Sequence, residues 1–267
     1  MSIRVCGGGA TGWTGESIVA AVLESDEFEL TGALARQAAG RTIGEVRGEA
    51  DGSRVRVSTG VAEALSEPAD VYIDYTHPNA VYANVMCAIE AGVAAVVGTS
   101  GLTGREYGGI DEAARAAGVG VIAAGNFSIT AALLKHFSGI AARHVPHWEI
   151  VDMASAGKPD APSGTAQELA EFLGTVATNE FARPVEDTLG SREARGATIG
   201  GAQVHSLRLP SYVISVESIF GLPGERLSIR HDAGSSAEPY VAGTLLAARM
   251  APGRVGLTQG LDRLLFE

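Results

Sequence analysis

Lys158, Ser163, Gly164 and Thr165 lie in one short run, Asp152-Met153-Ala154-Ser155-Ala156-Gly157-Lys158-Pro159-Asp160-Ala161-Pro162-Ser163-Gly164-Thr165-Ala166. Thr165 and Glu168 match the Ser/Thr-x-x-Glu spacing of a helix start. The residues from Ala166 to Leu173 favour a helix, which Gly174 would stop. Hydroxyls and unpaired backbone N–H groups at a helix N-terminus bind carboxylate or phosphate. Lys158, one of only two lysines with Lys135, adds a cation just upstream. Pro159 and Pro162 stiffen the loop between them. The chemistry predicted here is capture of a small anion.

A second candidate opens the chain. Gly7, Gly9 and Gly12 form Gly-x-Gly-x-x-Gly, with Gly15 beyond. Ile3-Arg4-Val5-Cys6 before it is strand-like. Ile18, Val19, Val22 and Leu23 after it share a helical face, and Phe28 to Leu34 reads as a second strand. Strand, glycine turn, helix and strand within about 30 residues is the setting of a dinucleotide fingerprint. Glycine is needed there so that the backbone can approach a pyrophosphate at the helix N-terminus. An acid closing the second strand would bond a ribose 2′-hydroxyl. This chain has Leu34-Ala35-Arg36-Gln37 instead, and Arg36 suits a 2′-phosphate. NADPH is therefore the expected cofactor, with NADH as second choice.

These residues need a scaffold, and the pattern supplies one. Strands are predicted at Arg54 to Val57, Val71 to Asp74, Ala94 to Val97 and Val119 to Ala123. Helices are predicted at Ala62 to Leu65, Asn79 to Ala91 and Arg105 to Ala117. Such alternation implies an α/β fold with a Rossmann-like, doubly wound parallel sheet, whose ligands bind beyond the carboxyl ends of the strands. The polar clusters after Asp74, Val97 and Ala124 fall at those ends. Beyond a helix at Thr130 to Arg143 the texture changes. Trp148 to Val151, Val204 to Arg208, Tyr212 to Glu217 and Leu227 to Arg230 read as strands of a second, mixed or antiparallel sheet. Residues 175–200 show little periodicity, and Tyr240 to Met250 reads as a helix.

Composition narrows the function classes. A chain of 267 residues accommodates one large or two modest domains. Its net charge of −11 argues against a nucleic-acid surface, which needs a basic face. An anion site must then be local, made of a few cations and helix ends. Cys6 and Cys87 form neither a disulfide framework nor a metal pattern, so no metal is expected. No secretory leader pattern opens the sequence, and no apolar run approaches the ~18 residues of a membrane span. A cytoplasmic protein without a membrane partner is expected.

The chain resembles the dihydrodipicolinate (4-hydroxy-tetrahydrodipicolinate) reductase family of lysine and diaminopimelate biosynthesis over nearly its whole length. The resemblance rests on Gly9-x-x-Gly12-x-x-Gly15, Asp74-Tyr75-Thr76-x-Pro78, Gly98-Thr99-Ser100-Gly101 and Asn126-Phe127-Ser128. It rests further on Lys158-x-Asp160-Ala161-Pro162-Ser163-Gly164-Thr165-Ala166 and on Phe220-Gly221-x-x-Gly224-Glu225-x-Leu227-x-Ile229-x-His231. It implies a dinucleotide-binding domain over residues 1–127 with 240–267, and an α+β substrate-binding and tetramerisation domain over 128–239. It implies that Gly9, Ala10, Thr11, Gly12, Trp13 and Arg36 hold the phosphates and ribose, and that Tyr75, Thr76, Gly98, Thr99, Asn126 and Phe127 line the nicotinamide. Lys158, Ser163, Gly164 and Thr165 would hold the substrate carboxylates, and Lys158 is the implied catalytic residue. A homotetramer is implied as well.

One departure matters. The family carries a histidine pair where this chain has Ala154 and Ser155. The first histidine is implied to help donate a proton, and the second, where Ser155 stands, to contact a carboxylate. A positioned general acid contributes ~10²–10⁴-fold, and its loss leaves Lys158 as the obvious acid. Low turnover of the family's parent substrate is therefore expected. Two alternatives follow: a reductase of another cyclic imine or unsaturated carboxylate, and a non-catalytic NADP-binding sensor.

Overall fold

The computed structural model describes residues 2–49 and 52–266. In chain order its elements are β1 (Ile3–Gly8), α1 (Trp13–Leu23), β2 (Phe28–Leu34), α2 (Ile43–Arg47), β3 (Val57–Ser58), α3 (Val61–Ala64) and β4 (Val71–Asp74). Next come α4 (Pro78–Glu90), β5 (Ala94–Val97), α5 (Gly104–Ala117), β6 (Gly120–Ala123), α6 (Ile129–Ala142), β7 (Trp148–Ala154) and α7 (Gly164–Val176). The chain ends with β8 (Ala197–Ile199), β9 (Ala202–Arg208), β10 (Ile214–Leu222), β11 (Glu225–Ala233), α8 (Glu238–Met250), β12 (Gly256–Gln259) and α9 (Leu261–Phe266). The chain divides into two compact units, Met1–Ile129 with Ala237–Glu267, and Thr130–Ser236.

The first unit holds a seven-stranded sheet in the order β12-β6-β5-β4-β1-β2-β3, and every pairing is parallel. Val71-Tyr72-Ile73-Asp74 and Ala94 to Val97 are buried along their whole length, as strands covered on both faces must be. The strand order reverses between β1 and β4, and ligands of doubly wound sheets bind at that crevice. The short strand expected at Arg54 to Val57 is paired only at Val57–Ser58, apart from an isolated bridge from Arg56 to Thr42. Capping boxes start α2 at Thr42 with Glu45 and α5 at Thr103 with Glu106.

The second unit is a five-stranded mixed sheet in the order β11-β10-β7-β9-β8. β7 and β9 run parallel and the other neighbours antiparallel. One face is apolar: Trp148 and Ile150 of β7, Val204 of β9, and Val216 and Phe220 of β10 pack against Leu134 of α6 and Leu169 and Leu173 of α7. Each such side chain contributes about 1.5–3 kcal/mol on burial. Along β7, Trp148, Ile150, Asp152 and Ala154 share that buried face, following the two-residue period of a strand.

The start of α7 differs from the expected Thr165 cap. Ser163 is the cap residue, and its hydroxyl accepts from Ala166 N at 3.4 Å. The helix then runs past Gly174 to Val176. Among the described residues no helix is long and apolar enough to cross a membrane.

Candidate functional site

In the first unit the glycine turn joins β1 to α1. Gly9 has φ +75°, and a Cβ there would stand 2.1 Å from the Tyr75 carbonyl oxygen, so only glycine fits. A Cβ on Gly15 would stand 2.0 Å from the Gly9 carbonyl oxygen, which lets α1 seat tightly on the turn. Gly9 N and Ala10 N both donate to Leu34 O, at 2.9 and 3.0 Å. Those two amides hold the turn to β2. Ala10 is buried, whereas Gly12 and Trp13 are exposed at the helix start. Gly12 caps α1 without a side-chain hydrogen bond, so the first turn keeps donors for an anion.

A cleft of about 580 Å³ opens beside this turn, lined by Gly9, Thr11, Gly12, Arg36, Tyr75 and Thr76 among others. Arg36 is exposed at its rim, just past β2. His77 and Asn84, which the sequence did not single out, also line the cleft. The lack of Cβ atoms at the turn fits the close approach of a dinucleotide.

The ends of β4, β5 and β6 carry the rest. The Tyr75 ring packs edge-on against Phe127, with centroids 6.3 Å apart. Its hydroxyl shares a 2.7 Å hydrogen bond with Thr244 Oγ1 on α8. Burial pushes the Tyr75 phenol far up from its ordinary range, so it stays neutral. A Cβ at Gly98 would stand 2.2 Å from the Tyr75 ring. Asn126 Oδ1 accepts from Ser128 N at 2.8 Å and shapes the turn that carries Phe127.

Asp74 organises these loops. It is completely buried at the end of β4. Its Oδ1 accepts from Thr76 N, Thr76 Oγ1 and Thr99 Oγ1, at 3.0, 2.8 and 2.6 Å. Its Oδ2 accepts from Tyr72 Oη at 2.7 Å and Asn84 Nδ2 at 3.1 Å. The sequence carried one signal of this role: a single acid ends an otherwise apolar strand. Trp13, 61% exposed, lies edge-on to Tyr240.

In the second unit the anion-binding candidates sit on the loop from β7 to α7. Lys158 and Ser155 are half-buried, Gly164 is exposed and Thr165 half-buried. Lys158 N donates to Ser155 O at 3.1 Å, and Lys158 Nζ pairs with Asp160 Oδ1 at 2.7 Å. That ammonium holds the Asp160 carboxyl below the usual carboxylate range. Ser163 is buried and its N–H donates to Asp152 Oδ2 at 2.9 Å. Its amide thus belongs to the framework of the loop.

Ala154 is completely buried at the end of β7 and Ser155 follows it. No imidazole comes from these two positions. His231 is buried in β11, with Nδ1 2.9 Å from Thr130 Oγ1, and burial lowers its pKa. His205 Nε2 lies 2.8 Å from Glu149 Oε2, and His147 Nδ1 2.6 Å from Glu180 O. Asp152 and Arg208 were not legible as site residues, since 56 residues separate them and only the β7–β9 pairing joins them.

Comparison with known proteins gives one consistent result. The family model described as dihydrodipicolinate reductase, N-terminus, matches residues 1–127, and its C-terminal counterpart matches residues 129–265. A 4-hydroxy-tetrahydrodipicolinate reductase of Desulfitobacterium hafniense is 36% identical over 264 residues, covering 98% of each chain. One from Synechococcus elongatus is 38% identical over 272 residues, again covering 98% of each. Among solved structures, the dipicolinate-bound dihydrodipicolinate reductase from Paenisporosarcina sp. TG-14 superposes with a TM-score of 0.87 at 29% identity. That match covers 98% of this chain and 99% of the other.

Proposed function

The chain belongs to the dihydrodipicolinate reductase family, and we propose that it is a reductase that prefers NADPH and acts on a small cyclic imine carrying carboxylates. The observation that carries this reading is the loop of Lys158 and α7, a cation beside a helix N-terminus, in a chain that also has a dinucleotide turn. A sensor that only bound the cofactor would have no use for a carboxylate clamp, which disfavours the non-catalytic alternative.

The residues divide the work. Gly12, Trp13 and the first turn of α1 receive the pyrophosphate, and Arg36 receives the 2′-phosphate. Tyr75, Gly98, Thr99 and Phe127 form the wall for the nicotinamide, and Asp74 holds Thr99 and the neighbouring Thr76 in place. Bound there, the cofactor supplies a hydride. Lys158 pairs with a substrate carboxylate in place of Asp160, and Gly164, Thr165, Ser163 and Ser155 complete that pocket. Lys158 is also the acid the loop offers when the reduced substrate takes up a proton.

Ala154 and Ser155 support a second reading, in which the same chemistry is directed at another cyclic imine or unsaturated carboxylate. Both readings share one assay. NADPH oxidation is followed optically with 4-hydroxy-tetrahydrodipicolinate and with a panel of cyclic imines. Oxidation with any of them above the substrate-free rate is expected, and the faster acceptor decides between the readings. No oxidation with any of them, by protein that binds NADPH, would return the sensor reading.

The assembly proposed is a homotetramer formed through the second unit's sheet, and the compartment proposed is the cytoplasm. Leu227 on the edge strand β11 is an exposed apolar residue, as are Leu222 at the end of β10 and Val213 just before β10, and an open sheet edge calls for cover. Sedimentation at micromolar concentration is expected to show the tetramer, and a monomer would reject it.

A further inference from the structure

Asp152 and Arg208 form a buried ion pair beneath the β7–α7 loop. Asp152 is completely buried, and its Oδ2 accepts from Arg208 Nη2 at 2.7 Å, from Ser206 Oγ at 3.1 Å and from Ser163 N at 2.9 Å. The same Nη2 donates to the Asp160 carbonyl oxygen at 2.6 Å, and Nη1 donates to Leu207 O at 2.9 Å. One carboxylate and one guanidinium thus tie two strands to both ends of the segment Asp160–Ser163.

A buried ion pair is costly, and replacing one with apolar groups is often neutral or stabilising. Core stability alone therefore gives little reason to keep it here. Its partners suggest another reason. Ser163 is the cap of α7 and Asp160 is the partner of Lys158. The pair holds the cap amide and the Asp160 peptide, so it sets the direction of the first turn of α7 and the place of Lys158. It also takes the Ser163 N–H, which commits that amide to the framework of the loop. The planar Arg208 fork meets Asp152 and Asp160 through Nη2 and Leu207 through Nη1, a spread over two nitrogens that the single nitrogen of a lysine does not copy. We propose that Asp152 and Arg208 are positioning residues that pre-form the carboxylate pocket of this reductase. The inference rests on the proposed carboxylate-binding role of this loop.

The test uses full-length protein, Arg208→Lys and Asp152→Asn, with pyridine-2,6-dicarboxylate as the probe. Calorimetry reads dicarboxylate and NADPH affinity separately, and amide hydrogen exchange reads residues 158–167. Circular dichroism first confirms that each variant folds. Expected is a loss of dicarboxylate affinity of about 10-fold, unchanged NADPH affinity, and faster exchange confined to that segment. KM for the reduced substrate should rise by a similar factor with little change in kcat. Unchanged exchange in both folded variants would overturn the proposal, and so would faster exchange with unaltered dicarboxylate affinity. Wild-type protein that binds no dicarboxylate would instead defeat the carboxylate reading of the loop and the pocket-forming role with it. Exchange would then still show whether the pair orders the segment.

Discussion

Lys158 Nζ stands 2.7 Å from Oδ1 of Asp160, two residues ahead in the same loop. The ammonium therefore already holds a carboxylate of its own chain, in the manner proposed for a carboxylate of the substrate. Asp160 is exposed enough, at 48%, for water to compete for it. An exposed pair of this sort is worth about 0–1 kcal/mol. Asp160→Asn removes the internal competitor and keeps the backbone carbonyl that Arg208 grips. Dicarboxylate affinity is expected to rise by up to about 5-fold, read by calorimetry. Weaker binding would show that Asp160 orients Lys158 rather than competing for it.

Arg36 gives the second prediction. It lies past the end of β2 at the rim of the cleft, where an acid would otherwise select the free 2′-hydroxyl. A charge-assisted contact to a 2′-phosphate is worth about 1.5–3 kcal/mol. Arg36→Ala is expected to weaken NADPH binding by roughly 10- to 150-fold, at 1.4 kcal/mol per decade, and to leave NADH within about 2-fold. A preference for NADH that survives the substitution would reject the NADPH assignment.

Much of the first unit was readable because its strands are short apolar runs between turn residues. Phe28 to Leu34, Val71 to Asp74 and Ala94 to Val97 form strands with the expected ends. β12 was missed: Gly256–Gln259 has no periodic pattern of its own and is a strand only because it pairs with β6. α2, at five residues, is too short for a helical period to show. In the second unit, the cap was expected at Thr165 from a local rule. At its place, Ser163, the N–H donates to Asp152 of β7, a contact between strand and loop that the capping rule does not see. The same holds for Arg208, which looks like any strand-end arginine until β7 and β9 pair.

His231 gives a prediction for pH. Burial lowers its pKa, so it is neutral in the folded chain and binds a proton more readily when unfolded. A depressed folded pKa stabilises above the unfolded value of ~6.5. That contribution is lost as pH falls from there through the folded value. The melting temperature is expected to decline over this window. His231→Asn, which keeps an acceptor for Thr130 but cannot take up a proton, should flatten the decline. An identical slope in the two proteins would assign it to other groups.

The last prediction concerns the pH dependence of turnover. Hydride addition to a conjugated imine leaves negative charge on a distal atom, which must then be protonated. Imidazole, with a pKa of ~6.5, suits that task near neutrality. In this chain Ala154 is completely buried and carries no acid, and the Ser155 hydroxyl is a poor one. His231 already faces Thr130, and burial favours its neutral form. In the proposed mechanism Lys158 both holds a carboxylate and releases a proton, two demands that conflict. Turnover of 4-hydroxy-tetrahydrodipicolinate is expected below the ~10 s⁻¹ of ordinary enzymes. The kcat profile should also lack an inflection near pH ~6.5. Ser155→His, at a half-buried position, is the substitution with room to introduce a ring, whereas Ala154→His would have to displace packed neighbours. Ser155→His is expected to create the missing inflection. Wild-type turnover of ~10 s⁻¹ or more would show that water or Lys158 replaces the imidazole without loss, and that the exchange at positions 154 and 155 leaves the reaction unimpaired.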